Sequence, residues 1–379
     1  MKENVKDTAK KEYKQLKKFI SNLPSKDYKS GGWFLKLIGY SLETYSQKMT
    51  YKYFMDKYDG LNPDAIIDKR IKLAKNYAGI AGATATTAYT SAIIATIGSK
   101  GGASPVTIPA AGISFMVDLS YVSHLQLRLA YDISVIYGSP LDYTDPEDLQ
   151  VLLVLAFGIK AGEVFSNSIS RATPEGIRIL VKQVFKKDTL KWLKALPYVG
   201  KYLLQRNIIK AGIPVVGIPL SYFVNRLFTG GIGKRAKKIF RIKIAINNIV
   251  ADYPIMKIND YELLLEMLWI CIAVDKKISS EKIWLLKEFV DSIRNNGGEN
   301  IVDEFSRKVV FDNENIIYKL SQKSDEEKVH YLEAAYMSIT VTHYPKEKEI
   351  ELLKTLCDNC DIQYNINKVK KYHDMFHSN

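Results

Sequence analysis

The stretch NYAGIAGATATTAYTSAIIATIGSKGGASPVTIPAAGISFMV, residues 76–117, decides how this chain is read. Residues 76–99 carry no formal charge, and after Lys100 the uncharged run continues from Gly101 to Val117. Gly101, Gly102 and Pro105 lie between the two arms and read as a turn, so the unit is expected to be a helical hairpin. Length alone would let an arm span a bilayer, for which about 20 apolar residues suffice. Composition points the other way. Residues 78–99 hold seven Ala and five Thr but only four Ile and no Leu. On insertion scales, residues such as Leu, Ile and Phe contribute clearly, at roughly −0.3 to −0.6 kcal/mol each. The small-xxx-small pairs Ala81/Ala85 and Ala88/Ala92 instead suit close helix–helix contact. Two readings stand at this level. The hairpin is tightly packed core, or its arms, through Ala81, Ala85, Ala88, Ala92, Ile93 and Ile94, enter lipid under some condition.

Outward from the hairpin the pattern stays helical. Asn62-Pro63 marks a break, and Pro63 suits a helix start. A helix runs through Asp118 to Tyr137 and stops at Gly138, with Pro140 beyond it. The next begins near Asp145-Pro146-Glu147, an acidic, proline-containing start. Residues 1–60 interleave lysines with Tyr13, Leu16, Phe19 and Ile20 at helical spacing. The first residues are polar and lysine-rich without an apolar core, so they are not expected to be a secretory signal. The fold class expected is all-α: a multi-helix bundle with a Gly/Ala/Thr-rich apolar hairpin, plus a smaller C-terminal helical domain. Three parts are expected: lysine-rich helices at 1–60, a basic and apolar domain at 61–250, and an acidic domain at 251–379.

The net charge of +13 is unevenly placed. Residues 1–250 hold 37 Lys and Arg against 18 Asp and Glu, whereas residues 251–379 hold 17 against 23. A basic part implies an anionic partner, either nucleic acid or acidic lipid. The deciding stretch is 189–251, with twelve Lys and Arg and no acid. Inside it lies an uncharged segment, AGIPVVGIPLSYFVN at 211–225, followed by Lys234, Arg235, Lys237, Lys238, Arg241 and Lys243. Apolar segments flanked by basic clusters are attracted to anionic lipid at about 1 kcal/mol per basic side chain. Nucleic-acid binders usually place stacking aromatics within the patch, and from Lys234 to Lys243 the charges accompany aliphatic residues apart from Phe240. Anionic membrane lipid is therefore the expected partner of these six residues, and nucleic acid is not. A solvated basic helix face is the bland alternative.

Beyond residue 255 the chain carries an internal repeat at a spacing of 68: CIAVDKKISSEKIWLLKEF from Cys271 aligns with ITVTHYPKEKEIELLKTLC from Ile339, pairing Glu281 with Glu349 and Leu285 with Leu353. Two helix–loop–helix units packed together are the expected arrangement. The three cysteines fit a reducing compartment. Cys357-x2-Cys360-x12-His373-x3-His377 has the spacing of a zinc finger. Against zinc, Lys370 stands where such a finger needs an apolar residue, and Cys357 takes the place of Phe289 in the first repeat, where a buried small thiol suffices. No cofactor is expected, with zinc as the minor alternative.

No triad, phosphate-loop or dinucleotide signature appears in the sequence. Gly230-Gly231-Ile232-Gly233-Lys234 only superficially suggests a phosphate loop. Asp118 and His124 lie six positions apart on one helix, about 600°, and so face differently. Asp118 is expected to cap or to pair with a basic residue such as Arg128, and no catalytic residue is assigned.

Two resemblances follow from these motifs. PAAGISFMVDLSYVSHLQLRLAYDISVIYG (109–138) resembles the EcsC protein family through its Gly-rich turn, its helix with Asp118 and its terminal Tyr137-Gly138. IPVVGIPLSYFVNRLFTGGIGKRAKKIF (213–240) is similar to that family's second signature, with Pro214, Gly217 and Asn225 before a basic helix. The resemblance covers roughly residues 60–245 and implies a bacterial, cytoplasmic, membrane-associated setting without a defined reaction. The C-terminal repeat resembles the TerB-like helical domain of stress and defence systems, through Ala273-Val274-Asp275, Ile278-Ser279 and Glu281. It implies a protein-interaction module. Lys276 stands where that family has Gly, and His343-Tyr344 replaces the pair in the second half.

Overall fold

A computed structural model describes residues 5–89, 110–157, 218–275, 279–305 and 311–377, with the single positions Gly200 and Leu203. Among them every regular element is a helix: α1 (Val5–Ser21), α2 (Ser25–Ser30), α3 (Trp33–Lys48), α4 (Tyr51–Lys57), α5 (Pro63–Tyr89), α6 (Ala110–Ile136), α7 (Pro146–Phe157), α8 (Ile218–Ala251), α9 (Tyr261–Ala273), α10 (Ser280–Asn295), α11 (Glu299–Phe305), α12 (Asn313–Ser321), α13 (Asp325–Thr340), α14 (Glu347–Asn359) and α15 (Ile366–His377). The chain divides into two compact units, and among the described residues the division falls inside α8, between Lys237 and Lys238.

In the first unit α6 is the central helix. From Met116 to Ile136 it is buried all round apart from a few half-buried positions, as expected of a helix that others wrap. α5 and α6 run antiparallel, since Tyr137 donates to Asp64 at 2.6 Å and Arg70 bonds Asp132 further along, and they contain residues 76–89 and 110–117 of the expected hairpin. α5 starts at Pro63, with the Asn62 side chain accepting the Ala65 N–H at 2.8 Å. α6 ends in a Schellman turn. Gly138 takes φ +78°, its N–H reaches Val135 O, and the Ser139 N–H reaches Ser134 O. Asp145 caps α7 through the Asp148 N–H at 3.1 Å. The helices of residues 1–60 belong to this packing: the Tyr121 hydroxyl reaches Ala9 O, and His124 reaches Ser41 on α3. Ala81, Ala85 and Ala88 lie in α5. Ala92, Ile93, Ile94 and the expected turn at Gly101–Pro105 lie outside the described residues.

In the second unit α9 and α13 are the buried pair, with residues 263–272 and most of 331–341 out of solvent. Helix starts carry side-chain caps: Asp260 accepts the Leu263 N–H at 3.0 Å, Ser279 the Lys282 N–H at 3.3 Å, and Ser324 with Glu327 forms a capping box. The repeat is present, but its structural register is 67 and not 68. α9 ends at Ala273 and α13 at Thr340, while α10 starts at Ser280 and α14 at Glu347. Burial fits the same register. Lys282/Glu349, Leu286/Leu353, Phe289/Leu356, Val290/Cys357 and Ile293/Cys360 are buried on both sides. Cys357 therefore corresponds to Val290 and not to Phe289, and both thiols of the Cys-x2-Cys pair occupy core positions.

Candidate functional site

The basic cluster expected to meet an anionic partner lies in the middle of α8, where the exposure pattern sorts it. Leu227, Phe228, Gly231, Lys234, Arg235 and Lys238 are exposed, whereas Thr229, Gly230, Gly233, Ala236 and Phe240 are buried. At about 100° per residue the exposed set spans an arc of about 120°. Its start is apolar, with Leu227 68 % and Phe228 41 % exposed. Lys234 and Arg235 continue it, and neither makes an ion pair among the described residues.

The other three expected lipid ligands behave differently. Lys237 turns inward and bonds Asp68 at 3.0 Å and Asp64 at 3.3 Å on α5. Arg241 and Lys243 are half-buried and each already has a partner. The glycines just before the cluster have a packing role. A Cβ on Gly233 would stand 2.9 Å from both Ile71 and Leu129, and one on Gly230 would stand 2.7 Å from the Lys75 stem. Gly230 to Lys234 is thus helix interior, which removes the phosphate-loop reading.

The positions named by the family resemblance are spread out. Tyr137 and Gly138 build the foot of the hairpin, and Asn225 is half-buried on α8. Pro214 and Gly217 lie outside the described residues. Asp118 is half-buried near Tyr13, whose phenol is pushed up by burial and then by the Asp118 charge. The expected Asp118–Arg128 pair is not made. Arg128 follows Asp118 on the same helix by nearly three turns and gives its guanidinium to Ser41 O at 3.0 Å and Glu12 at 3.3 Å.

The buried ion pair of α6 is one that the sequence did not reveal. Arg70 holds Asp132 Oδ2 through Nη2 at 2.7 Å and Nε at 2.8 Å, and the Tyr45 hydroxyl donates to Oδ1 at 2.8 Å. Burial pushes the Asp132 carboxyl up, and the guanidinium and the two hydrogen bonds pull against it. His124 is also buried. The Ser41 hydroxyl gives its proton to Leu37 O at 2.6 Å, so it accepts from His124 Nδ1–H at 2.9 Å. Burial, followed by the Arg128 charge, holds this imidazole well below 6.5 and neutral. An acid and a base are present on α6, but each is closed into structure. A cavity of about 430 Å³ near Gly138, lined by Met49, Thr50, Tyr51, Tyr131, Val135 and Pro140, brings no acid or base together.

In the second unit the four zinc candidates do not converge. Cys357 and Cys360 are buried thiols raised by burial, the second to about 11. His377 Nε2 faces Thr340 O at 3.2 Å, and its ring lies 4.6 Å from that of His373. Among the described residues, the metal-ligating group that does converge is Asp275, His343 and Glu349. A cation is already there. The Lys282 ammonium, 1 % exposed, contacts Asp275 Oδ1 at 3.0 Å, Glu349 Oε1 at 3.1 Å and Ile272 O at 3.2 Å. Lys282 and Glu349 are the equivalent third helical residues of α10 and α14, so the same position of each repeat supplies one charge to the joint and Asp275 of the first repeat adds a third.

No helix among the described residues is long and apolar enough to cross a membrane. Searches of protein-family models, curated proteins and solved structures return no match to this chain.

Proposed function

We propose that this chain is a peripheral binding protein for anionic membrane surfaces, not a catalyst. The observation that carries the reading is the exposed arc of α8, in which Leu227 and Phe228 lead directly into Lys234 and Arg235. Such a face puts apolar groups at the acyl boundary and cations at the headgroups, where each basic residue contributes about 1 kcal/mol. The resemblance to the EcsC family supports a bacterial inner-leaflet setting. The C-terminal repeat, similar to TerB-like domains, then serves as a protein-interaction module in stress or defence, and exposed apolar residues such as Tyr318 and Met256 suit a partner.

The test is flotation of the purified chain with anionic and neutral vesicles, washed with salt and then alkali. Flotation on anionic vesicles alone, lost in salt, is the expected result. The Lys234→Gln/Arg235→Gln variant should float less. Flotation that survives alkali would replace docking by insertion of the 76–117 hairpin, and no flotation under any condition would overturn the proposal.

A further inference from the structure

α1 presents a second charged face, on different residues from α8. Lys10, Lys11, Lys14, Lys17 and Lys18 are all exposed, and at about 100° per residue they fall within an arc of about 120°. The opposite side, through Ala9, Leu16 and Ile20, is fully buried. The acid nearest the middle of the helix is directed away from the lysines: Glu12 pairs with Arg128 of α6. Asp7 is exposed inside the same arc, at its N-terminal end and four residues before Lys11. None of the five lysines makes an ion pair among the described residues. Lys10–Lys14 and Lys14–Lys18 are like charges at i, i+4, which destabilise a helix. An ordinary solvated face interleaves its signs, as α10 does with Lys287, Asp291 and Arg294 in ion-pair contact. α1 does not.

We propose that this lysine face is an independent docking surface for an anionic bilayer, on which the exposed ammoniums of α1 meet lipid headgroups. The complementary partner is a dense, flat array of negative charge. Five cations on one side of a straight helix can meet such an array together, and the anions relieve their mutual repulsion. The arc holds no exposed aromatic on which a base could stack, which favours lipid over single-stranded nucleic acid. The inference rests on the membrane reading proposed for α8 but concerns other residues, so the two can fail separately.

The experiment uses the full chain with Lys10, Lys14, Lys17 and Lys18 all changed to Gln, and a companion with the same four changed to Arg. Partition is measured on vesicles with and without anionic lipid, across a salt series. The Gln variant should partition at least about tenfold more weakly on anionic vesicles and show a shallower salt dependence, with a circular-dichroism melt no lower than that of the parent. The Arg variant should bind like the parent. Equal partition of parent and Gln variant would overturn this inference and leave the α8 reading standing. Absence of flotation by the parent would overturn both. Loss in the Arg variant as well as the Gln variant would mean that charge is not the determinant, which also overturns it. A DNA duplex that binds the parent through the same four lysines, while vesicles do not, would assign the face to nucleic acid instead.

Discussion

The two units bury charge in different places. In the first, Arg70 sits two turns into α5 and Asp132 about one turn before the end of α6, with Tyr45 of α3 completing the network. In the second, Asp275, Lys282 and Glu349 sit where helices end and begin. A pair between the facing sides of two helices ties their rotation and their register to each other. A pair at helix starts fixes how one repeat meets the other and leaves the helix faces free to be apolar. The formal balance differs too. Arg70 and Asp132 cancel, whereas Lys282 faces two carboxylates.

That difference predicts the largest effects. Lys282→Met would take from the fully buried Glu349 the ammonium that it faces and leave it beside the Asp275 carboxylate. Breaking a buried pair from one side costs about 3–5 kcal/mol, and the upper part of that range is expected here. Arg70→Met leaves Asp132 with the Tyr45 hydroxyl and with a carboxyl that burial already biases towards the protonated form. Its cost is expected near about 3 kcal/mol. Urea unfolding of the full chain measures both, and the comparison breaks if Arg70→Met proves the costlier. Replacing Arg70 and Asp132 together by Met and Leu should recover most of the loss, because a matched apolar pair is often as stable as the ion pair.

These particular residues also show what the sequence could reveal. Helix boundaries were legible because their signals are local: Pro63 at a start, Gly138 at a stop, Asp145-Pro146 at the next start. That residues 76–89 and 110–117 are helical could be read from their uncharged run. Arg70–Asp132 could not, since its members lie 62 positions apart and Asp118, also on α6, looked equally eligible. Only packing decides which acid faces inward. The repeat was visible, but its register was misplaced by one: Glu281 aligns with Glu349 by letter, while burial aligns Lys282 with it. A buried lysine reads as an exposed one until its partner is placed. The lysines of α1 and α8 were visible as charge, yet the inward turn of Lys237 and the outward arcs required the fold.

A pH titration sharpens the comparison with a smaller effect. His124 is neutral in the folded first unit, held well below 6.5 by burial and Arg128. Folding therefore favours its neutral form. The contribution is fully present above pH 6.5 and is lost as pH falls from 6.5 through the folded value. Asp132, raised from 3.8, works in the opposite direction. In the second unit two of the capping groups, Asp260 and Glu327, are carboxylates. Burial raises Asp260 and Glu327, but the Leu263 N–H and Lys323 on the first, and Ser324 and Asn259 on the second, outweigh it and hold both low. Their stability is present above 3.8 and 4.5 and is lost as pH falls below those values. His377 is also lowered, but it is half-buried at the end of α15, so solvent screens its effect. Between pH 7 and 5 the first unit should lose stability faster than the second, as read by hydrogen exchange in each. His124→Phe should flatten that slope, and an unchanged slope would assign the acid sensitivity elsewhere.

The smallest effect separates the two faces of α8. Gly231 lies in the exposed arc with no atom within 4 Å of an added Cβ, whereas Gly233 meets Ile71 and Leu129 at 2.9 Å. Gly in a helix interior costs about 0.5–1 kcal/mol relative to Ala through backbone entropy. Gly231→Ala should therefore stabilise by about that amount. In Gly233→Ala the same gain is opposed by overpacking, which costs about 1–3 kcal/mol, so net destabilisation is expected. The sign difference between two glycines only two positions apart tests the burial pattern of α8 directly. If both substitutions stabilise, Gly233 does not face α5 and α6, and the arc through Leu227, Phe228, Lys234 and Arg235 is rotated from the position that the docking proposal requires.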